Sequence, residues 1–571
     1  MAVRMIDPSG VHTKRRANDY QDFMAVILVG YGENLYPFNE GTNVVSKALL
    51  PVGNVPIISH VLDWVLDGGI MDILLIVPPV FHSSISNYLA ENYTNATHPR
   101  ARIDLKRHTD GEKEEDEIRS EGSGRAALDN AVGITTEREG TARLLKRFRH
   151  HIKNDFVLLP CDLSPPSYLT LASVLDKHRA SPSAVLTAVL YEPAEPVRES
   201  EEKLFVAIDR ESDEVLLIQP LEAIEDELET RMALIDSCVR PPTSCTDSRH
   251  PLLSLSSRLL DAHVYVCRRT VLDLLATRRP KDLDSMKEQV IPWLVKGGWQ
   301  RGLGERWAPI LAPARRDPFA DALSRSTTAS QPPFGTKHAV FSISSPSSDQ
   351  TPLPRTGNVS PITDGMEMSL DDISKEQTSS RKLGSGAYWR CQVIVAAPPA
   401  PTEPVVAVKG GKVDKSKLKA EADYLIRANS LAGYWEMNRR FLRTLAANAP
   451  VTPRPQSAAE DSGTSALISS SAQISPDSLL GEGTRVGDRA SIKKCIIGRH
   501  CVIGRGAKLT GCVLWDFVTV EENARIENTI LCSYVRVGEK AQVKDCEFGT
   551  GFEAKPGAIL KGERLVVGQE A

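Results

Sequence analysis

Two glycines, a lysine and an aspartate are the residues of this chain best suited to handling a phosphate. Gly30-Tyr-Gly32 follows directly on the apolar run Phe23–Val29, and Lys47 stands some fifteen residues further on. Glycines let backbone N–H groups approach a phosphate, and a lysine neutralises it. The same glycines would serve as a simple turn after a strand, and the lysine as a solvated or ion-paired side chain. Asp162 follows a second apolar run, Phe156–Leu159, and alone would cap the segment after it. Gly140-Thr-Ala142 opens a helix expected over Arg143–Phe148.

Other reactive residues have plainer readings. Cys495, Cys512 and Cys546 recur at steps of 17 and 34, with Thr529 filling the gap, so they form a column along a repeat. Zinc needs four converging ligands in a tetrahedron, which a column does not supply, and no metal site is expected. His500 is the lone histidine of that region and is read as a surface residue. Trp515 follows an inward position, so it should face away from the repeat. With nearby Phe517 it is a candidate partner surface, with local packing as the alternative.

The elements that would position these groups show in the hydrophobic pattern. Short apolar runs bounded by glycines read as buried parallel strands: Phe23–Val29, Ile73–Val77, Phe156–Leu159 and Ala184–Leu190. Between the first two, Pro56 starts a helix, Ile57, Ile58, Val61, Leu62 and Val65 give it a 3.6 period, and Gly68-Gly69 ends it. Alternating strands and helices predict an α/β domain with a mostly parallel, Rossmann-like sheet. Further on, Leu480, Val486, Ile492, Ile497, Ile503, Leu509 and their successors to Phe548 recur in steps of six, six and five. Small residues such as Ala490, Cys501 and Ala507 fall four places after most of them. That hexapeptide pattern predicts a left-handed parallel β-helix with three short strands per coil.

Composition limits the remaining possibilities. Of 571 residues, 41% are hydrophobic and 25% charged, close to the globular average, so neither a largely disordered chain nor a membrane protein is expected. Met1–Asp22 is charged and polar with no apolar stretch, so no secretory leader is expected. A net charge of −4 argues against a generic nucleic-acid binder, and ten scattered cysteines read as reduced thiols. Of the 43 residues from Ser324 to Met366, 24 are Ser, Thr, Pro or Gly, too polar to support a core. The expected division is a flexible N-terminus (1–22), an α/β domain (23–445) with insertions near 106–125, 239–256 and 313–380, a linker (446–475) and the β-helix (476–568).

The first domain resembles the nucleotidyltransferase fold of sugar-nucleotide pyrophosphorylases. The resemblance is carried by Ala25-Val-Ile-Leu-Val-Gly-Tyr-Gly-Glu-Asn-Leu-Tyr-Pro37 and by Lys47-Ala-Leu-Leu-Pro-Val-Gly53-Asn-Val-Pro56. In that family a Gly-x-Gly-Thr-Arg loop wraps a nucleoside triphosphate, a loop like Gly140-Thr-Ala142 holds the base and ribose, and an aspartate at the position of Asp162 binds magnesium. Here Glu33-Asn34 replaces Thr-Arg, and a neutral amide cannot match a guanidinium fork on phosphate. Losing one such donor typically costs ~10²–10³ in rate. The resemblance therefore implies a degenerate site with vestigial nucleotide-binding residues Gly30, Gly32, Asn34, Lys47 and Asp162, no catalytic residues and no cofactor. An active pyrophosphorylase, for example of the GDP-mannose type, is the alternative, and a nucleotide-sensing pocket a weaker one.

The two domains together resemble the gamma subunits of eukaryotic translation initiation factor 2B. Leu260-Asp-Ala-His-Val-Tyr265, Ile291-Pro-Trp-Leu-Val295, Arg427-Ala-Asn-Ser, Tyr434-Trp-Glu-Met-Asn-Arg439 and the stretch Ile492–Gly504 carry that likeness. The chain stops at Ala571, where the related epsilon subunits continue into a helical-repeat domain, and this favours gamma. The resemblance implies a cytosolic, non-catalytic scaffold and regulatory subunit. It would pair with epsilon, join alpha, beta and delta in a two-fold decamer, and act on initiation factor 2, away from membranes and without direct nucleic-acid contact.

Overall fold

The computed structural model describes residues 23–39, 44–94, 96–109, 140–193, 203–220, 253–277, 283–311, 388–397, 423–448 and 467–569. The expected N-terminus and the 313–380 insertion lie outside these residues, as do most of the other two insertions.

Ten strands form the central sheet: β1 (Phe23–Leu28), β2 (Asp72–Val77), β3 (Arg102–Arg107), β4 (Asp155–Pro160), β5 (Ala184–Tyr191), β6 (Leu204–Asp209), β7 (Glu214–Pro220), β8 (Leu253–Ser256), β9 (Leu260–Cys267) and β10 (Arg390–Ala396). Their order is β8-β6-β7-β10-β5-β9-β4-β1-β2-β3. The half containing β4, β1, β2 and β3 is parallel throughout. The other half is mixed, because β9 runs antiparallel to both β4 and β5, and β6, β7 and β8 pair antiparallel. The expectation of a mostly parallel sheet therefore holds on one side only; apolar runs do not reveal strand direction. Both faces are buried. Ala25 and Ile27 enter one core cluster and Val26 the opposite one, the alternation that a period of two imposes. The helix Ile57–Asp67 covers one face, close to its predicted span. Part of two expected insertions proves to be sheet: residues 106 and 107 end β3, and residues 253–256 form β8.

The C-terminal region consists of three parallel sheets of six strands each. Partners lie 17 residues apart, as in Ile497↔Leu514 and Leu514↔Leu531, so the inward column Ile497, Leu514, Leu531 and Phe548 stacks directly. Among the described residues the β-helix starts at Leu467, inside the expected linker; this coil is one residue longer (Ile468↔Val486) and so falls out of the 17-residue pattern. Residues 446–448 likewise belong to the helix Leu431–Asn448. Cys495, Cys512 and Cys546 are fully buried in one column with Thr529. No helix among the described residues is long and apolar enough to cross a membrane.

The α/β domain contains a buried pH-sensitive group. His178 is 3% exposed, and its Nδ1 lies 2.8 Å from the Thr187 hydroxyl. Burial, helped by Arg268 and Arg179, pulls its pKa down to about 3. The unfolded chain binds this proton near the ordinary value of ~6.5, so the neutral native state is favoured above that pH and loses stability as pH falls below it. By pH 5 the loss from this one group is about 2 kcal/mol. Thermal unfolding should therefore fall between pH 7 and pH 5, and His178→Gln should flatten the dependence. Identical pH profiles for the two proteins would refute this assignment.

Candidate functional site

Parallel pairing of β1 with β4 brings the Gly30–Asn34 loop and Asp162 side by side at the carboxyl edge of the sheet, where α/β folds place their sites. Gly32 has φ +78, and a Cβ there would lie 3.2 Å from the Lys47 Cβ, so glycine is favoured on both counts. Gly30 is exposed with open space around it, and Asn34 sits exposed on the turn Glu33–Leu35. The Asn39 amide braces this loop by donating to the Gly32 and Glu33 carbonyls at 3.1 and 3.3 Å. Lys47 starts a single helical turn, Lys47–Leu49, capped by the Ser46 hydroxyl.

Of the five residues singled out from sequence, the structure joins Lys47 directly to Asp162. The Asp162 carboxylate is fully buried, and Lys47 Nζ meets its Oδ2 at 2.7 Å. A residue that sequence reasoning did not place in the site completes the group. Arg427 Nη2 lies 3.2 Å from both carboxylate oxygens, with Nε 3.4 Å from Oδ1. The backbone fixes this approach, since Arg427 pairs with Leu163 in a short antiparallel ladder and the Ala428 N–H donates to the Asp162 carbonyl at 2.9 Å. Burial alone would push the Asp162 carboxyl up, but Arg427 and then Lys47 outweigh it and hold the carboxyl well below its usual range. Nearby, Asp261 accepts from the Tyr265 hydroxyl and from the His263 N–H (2.7 Å), and burial raises its pKa.

The magnesium that the nucleotidyltransferase resemblance implies does not fit this carboxylate. Both oxygens of Asp162 already face cationic nitrogens, and among the described residues no three metal-ligating side chains gather. A hard divalent cation takes six or more oxygen ligands, and two positive groups at its anchor repel it.

The Gly140-Thr-Ala142 segment is also engaged internally. It opens the helix Thr141–Arg147, but the Gly140 N–H donates to Asp284 Oδ1 at 3.2 Å and the Ala142 N–H to the Asp284 carbonyl at 2.8 Å. Thr141 Oγ1 accepts from the Met286 N–H at 2.9 Å. Asp284 thus takes the helix-start donors that an outside ligand would need. Like Arg427, it lies too far along the chain for local spacing to reveal it.

Trp515 and Phe517 part company. Trp515 does face away from its β-helix, but it is 3% exposed, with Phe38 at 5.2 Å and Tyr434 at 6.4 Å between ring centres. Its indole N–H donates to the Tyr434 hydroxyl at 3.0 Å, and that hydroxyl donates to the Pro51 carbonyl at 2.6 Å. The expected patch is corrected accordingly: Trp515 packs against the α/β domain of its own chain, a contact no single-domain reading reveals. Phe517 is 45% exposed and stacks between His500 and Tyr534, at 5.2 and 5.1 Å, in one corner column of the coils.

Comparison with known proteins agrees with this architecture. A family model for the eIF2B subunit epsilon LbH domain matches residues 462–558, which contain nearly all of the β-helix. Translation initiation factor eIF2B subunit gamma of Schizosaccharomyces pombe is 27% identical to this chain over 296 residues, covering 50% of this chain and 54% of the yeast protein. The chain thus spans about half the length of the curated relative it matches. Two separate matches point to one factor: this chain resembles eIF2B subunit gamma and ends in a left-handed β-helix of the eIF2B kind.

Proposed function

We propose that this protein is a non-catalytic scaffold and regulatory subunit of the guanine-nucleotide exchange factor for translation initiation factor 2. It pairs with an epsilon-type subunit, joins alpha, beta and delta subunits in a two-fold decamer, and works in the cytosol. The likeness to eIF2B gamma supports the assignment to this factor. The observation that carries the non-catalytic part is the filling of the nucleotide pocket by the chain's own groups. Arg427 and Lys47 hold Asp162, and Asp284 holds the Gly140 and Ala142 N–H groups. Nucleotidyl transfer needs cationic groups poised for phosphate charge, and here two of them are spent on a buried carboxylate. Gly30, Gly32, Asn34, Lys47 and Asp162 are on this reading the remains of a nucleotide site, and Phe517 stays a candidate for partner contact.

Affinity purification of the full chain with mass spectrometry of its partners should recover an epsilon-type subunit. Incubation with mannose 1-phosphate, GTP and magnesium should give no GDP-mannose. Turnover abolished by Asp162→Asn would overturn the proposal in favour of an active pyrophosphorylase.

A further inference from the structure

In the nucleotidyltransferase-like domain, an aspartate that resemblance assigns to a metal instead holds an arginine brought in from far along the chain. We propose that Arg427 is a resident cation, installed at Asp162 in place of a divalent metal, and that it latches the segment carrying the C-terminal helix onto the sheet. The inference rests on the non-catalytic reading above and extends it: the pocket has become a structural joint.

Three observations carry this. First, the contact is charge-assisted and two-pronged, with one guanidinium nitrogen 3.2 Å from each carboxylate oxygen of a fully buried aspartate. A guanidinium supplies permanent charge without needing a hydration shell or extra oxygen ligands. Second, the arginine is fixed by backbone pairing of its own residue and of both its neighbours. Arg427 pairs with Leu163, Ile426 with Ser164, and Ala428 donates to the Asp162 carbonyl. Third, the latched segment leads directly into the helix Leu431–Asn448, which supplies Tyr434 to Pro51 and Trp515, and Trp435 to Glu547 Oε1 at 3.3 Å. The same helix therefore touches the old pocket, the segment after Lys47 and the β-helix. Phe38, at the end of the glycine loop, packs on both Tyr434 and Trp515. The loop that would wrap a nucleotide is thereby pinned to the β-helix.

The charge count gives the inference its sharpest test. Two cations meet at the Asp162 carboxylate, with the Asp261 carboxylate acting on Arg427 as well, so removing Arg427 leaves the Lys47–Asp162 pair intact, whereas removing the Asp162 charge takes the hydrogen-bonded anion from both cations. Asp162→Asn should therefore be the more harmful single change, lowering Tm by roughly 10 °C, because an uncompensated buried charge is the costly case. Adding Arg427→Gln to Asp162→Asn should recover part of that loss, and Arg427→Lys should lie close to wild type in charge but below it in Tm. A double variant no more stable than Asp162→Asn alone would overturn the latch.

A second measurement stands even if the neutral variants fail to fold. Titration of the wild-type chain with Mn²⁺, followed by the free-ion electron paramagnetic resonance signal, should show no binding at millimolar metal that magnesium competes and that raises Tm, with Arg427→Lys giving the same result. Manganese bound by wild type and competed by magnesium, with a matching rise in Tm, would overturn the resident-cation assignment. Neither readout involves partner proteins, so failure here leaves the subunit assignment standing, and failure to capture an epsilon-type partner leaves the latch standing.

Discussion

Trp515→Ala should lower the stability of the full chain by about 3–5 kcal/mol, the usual cost of emptying a large buried aromatic site. The indole is 3% exposed, fills the space between Phe38 and Tyr434, and donates to the Tyr434 hydroxyl at 3.0 Å. Removing it takes away the ring that joins the α/β domain to the β-helix. Polar contacts cross the joint as well: Asn54 Nδ2 donates to the Ile497 carbonyl at 2.8 Å, and Trp435 Nε1 to Glu547. Phe38, Tyr434, Trp515 and the interior of the β-helix form one continuous cluster, so the wild-type protein should unfold with the two units coupled. In the alanine variant, calorimetry should resolve two transitions, with the β-helix melting later. Trp515→Phe keeps the ring but loses the N–H donor, and should cost only ~1 kcal/mol plus a small packing loss. Alanine and wild-type proteins with Tm values that coincide would show that the interface contributes nothing to stability.

The sequence was most explicit where structure repeats. A 17-residue period needs no tertiary information, and it placed Leu480 through Phe548 on inward columns that the pairings Ile497↔Leu514↔Leu531↔Phe548 reproduce. It failed at the first coil, where one extra residue before Val486 breaks the spacing. Strands β1, β2 and β4 of the parallel half were legible for a similar reason, since strands buried on both faces are continuously apolar, whereas the charged β3 was not. Strand direction in the other half depends on which neighbour each strand finds, and β9 carries no local mark of running antiparallel to β4. The site was legible only by half. Lys47 and Asp162 announce themselves through the glycine loop and the end of a strand, but their partner Arg427 stands 265 residues beyond Asp162. Asp284 is equally remote from Gly140, at a separation of 144. Sequence spacing names the groups that could bind a ligand; it does not say whether another part of the chain has already taken them. Trp515 shows the same limit, because outward from a β-helix becomes inward once a second domain packs there.

Gly433→Ala should destabilise the protein by about 2–4 kcal/mol, although helix propensity alone predicts a gain of roughly 1 kcal/mol for this exchange. Gly433 lies in the first turn of the helix Leu431–Asn448. A Cβ built there collides with the Arg427 carbonyl oxygen, and the Ser430 Oγ lies 3.4 Å away. The obstacle is backbone, which cannot rotate aside as a side chain would. Either the helix start moves away from Arg427, or Arg427 moves away from Asp162. The first displaces Tyr434 from Pro51 and Trp515; the second weakens a buried ion pair whose breakage is expensive. Both outcomes exceed the small entropic benefit of replacing glycine. The two routes separate in a double-mutant comparison. If Arg427 yields, the cost of Gly433→Ala should shrink when Asp162→Asn and Arg427→Gln are already present, since the pair it disturbs is gone. If the helix yields, the cost should persist in that background and shrink instead beside Trp515→Ala. A stabilised Gly433→Ala protein, measured by urea unfolding with an unchanged slope, would mean that the close approach of this helix to the Arg427 carbonyl does not exist in solution.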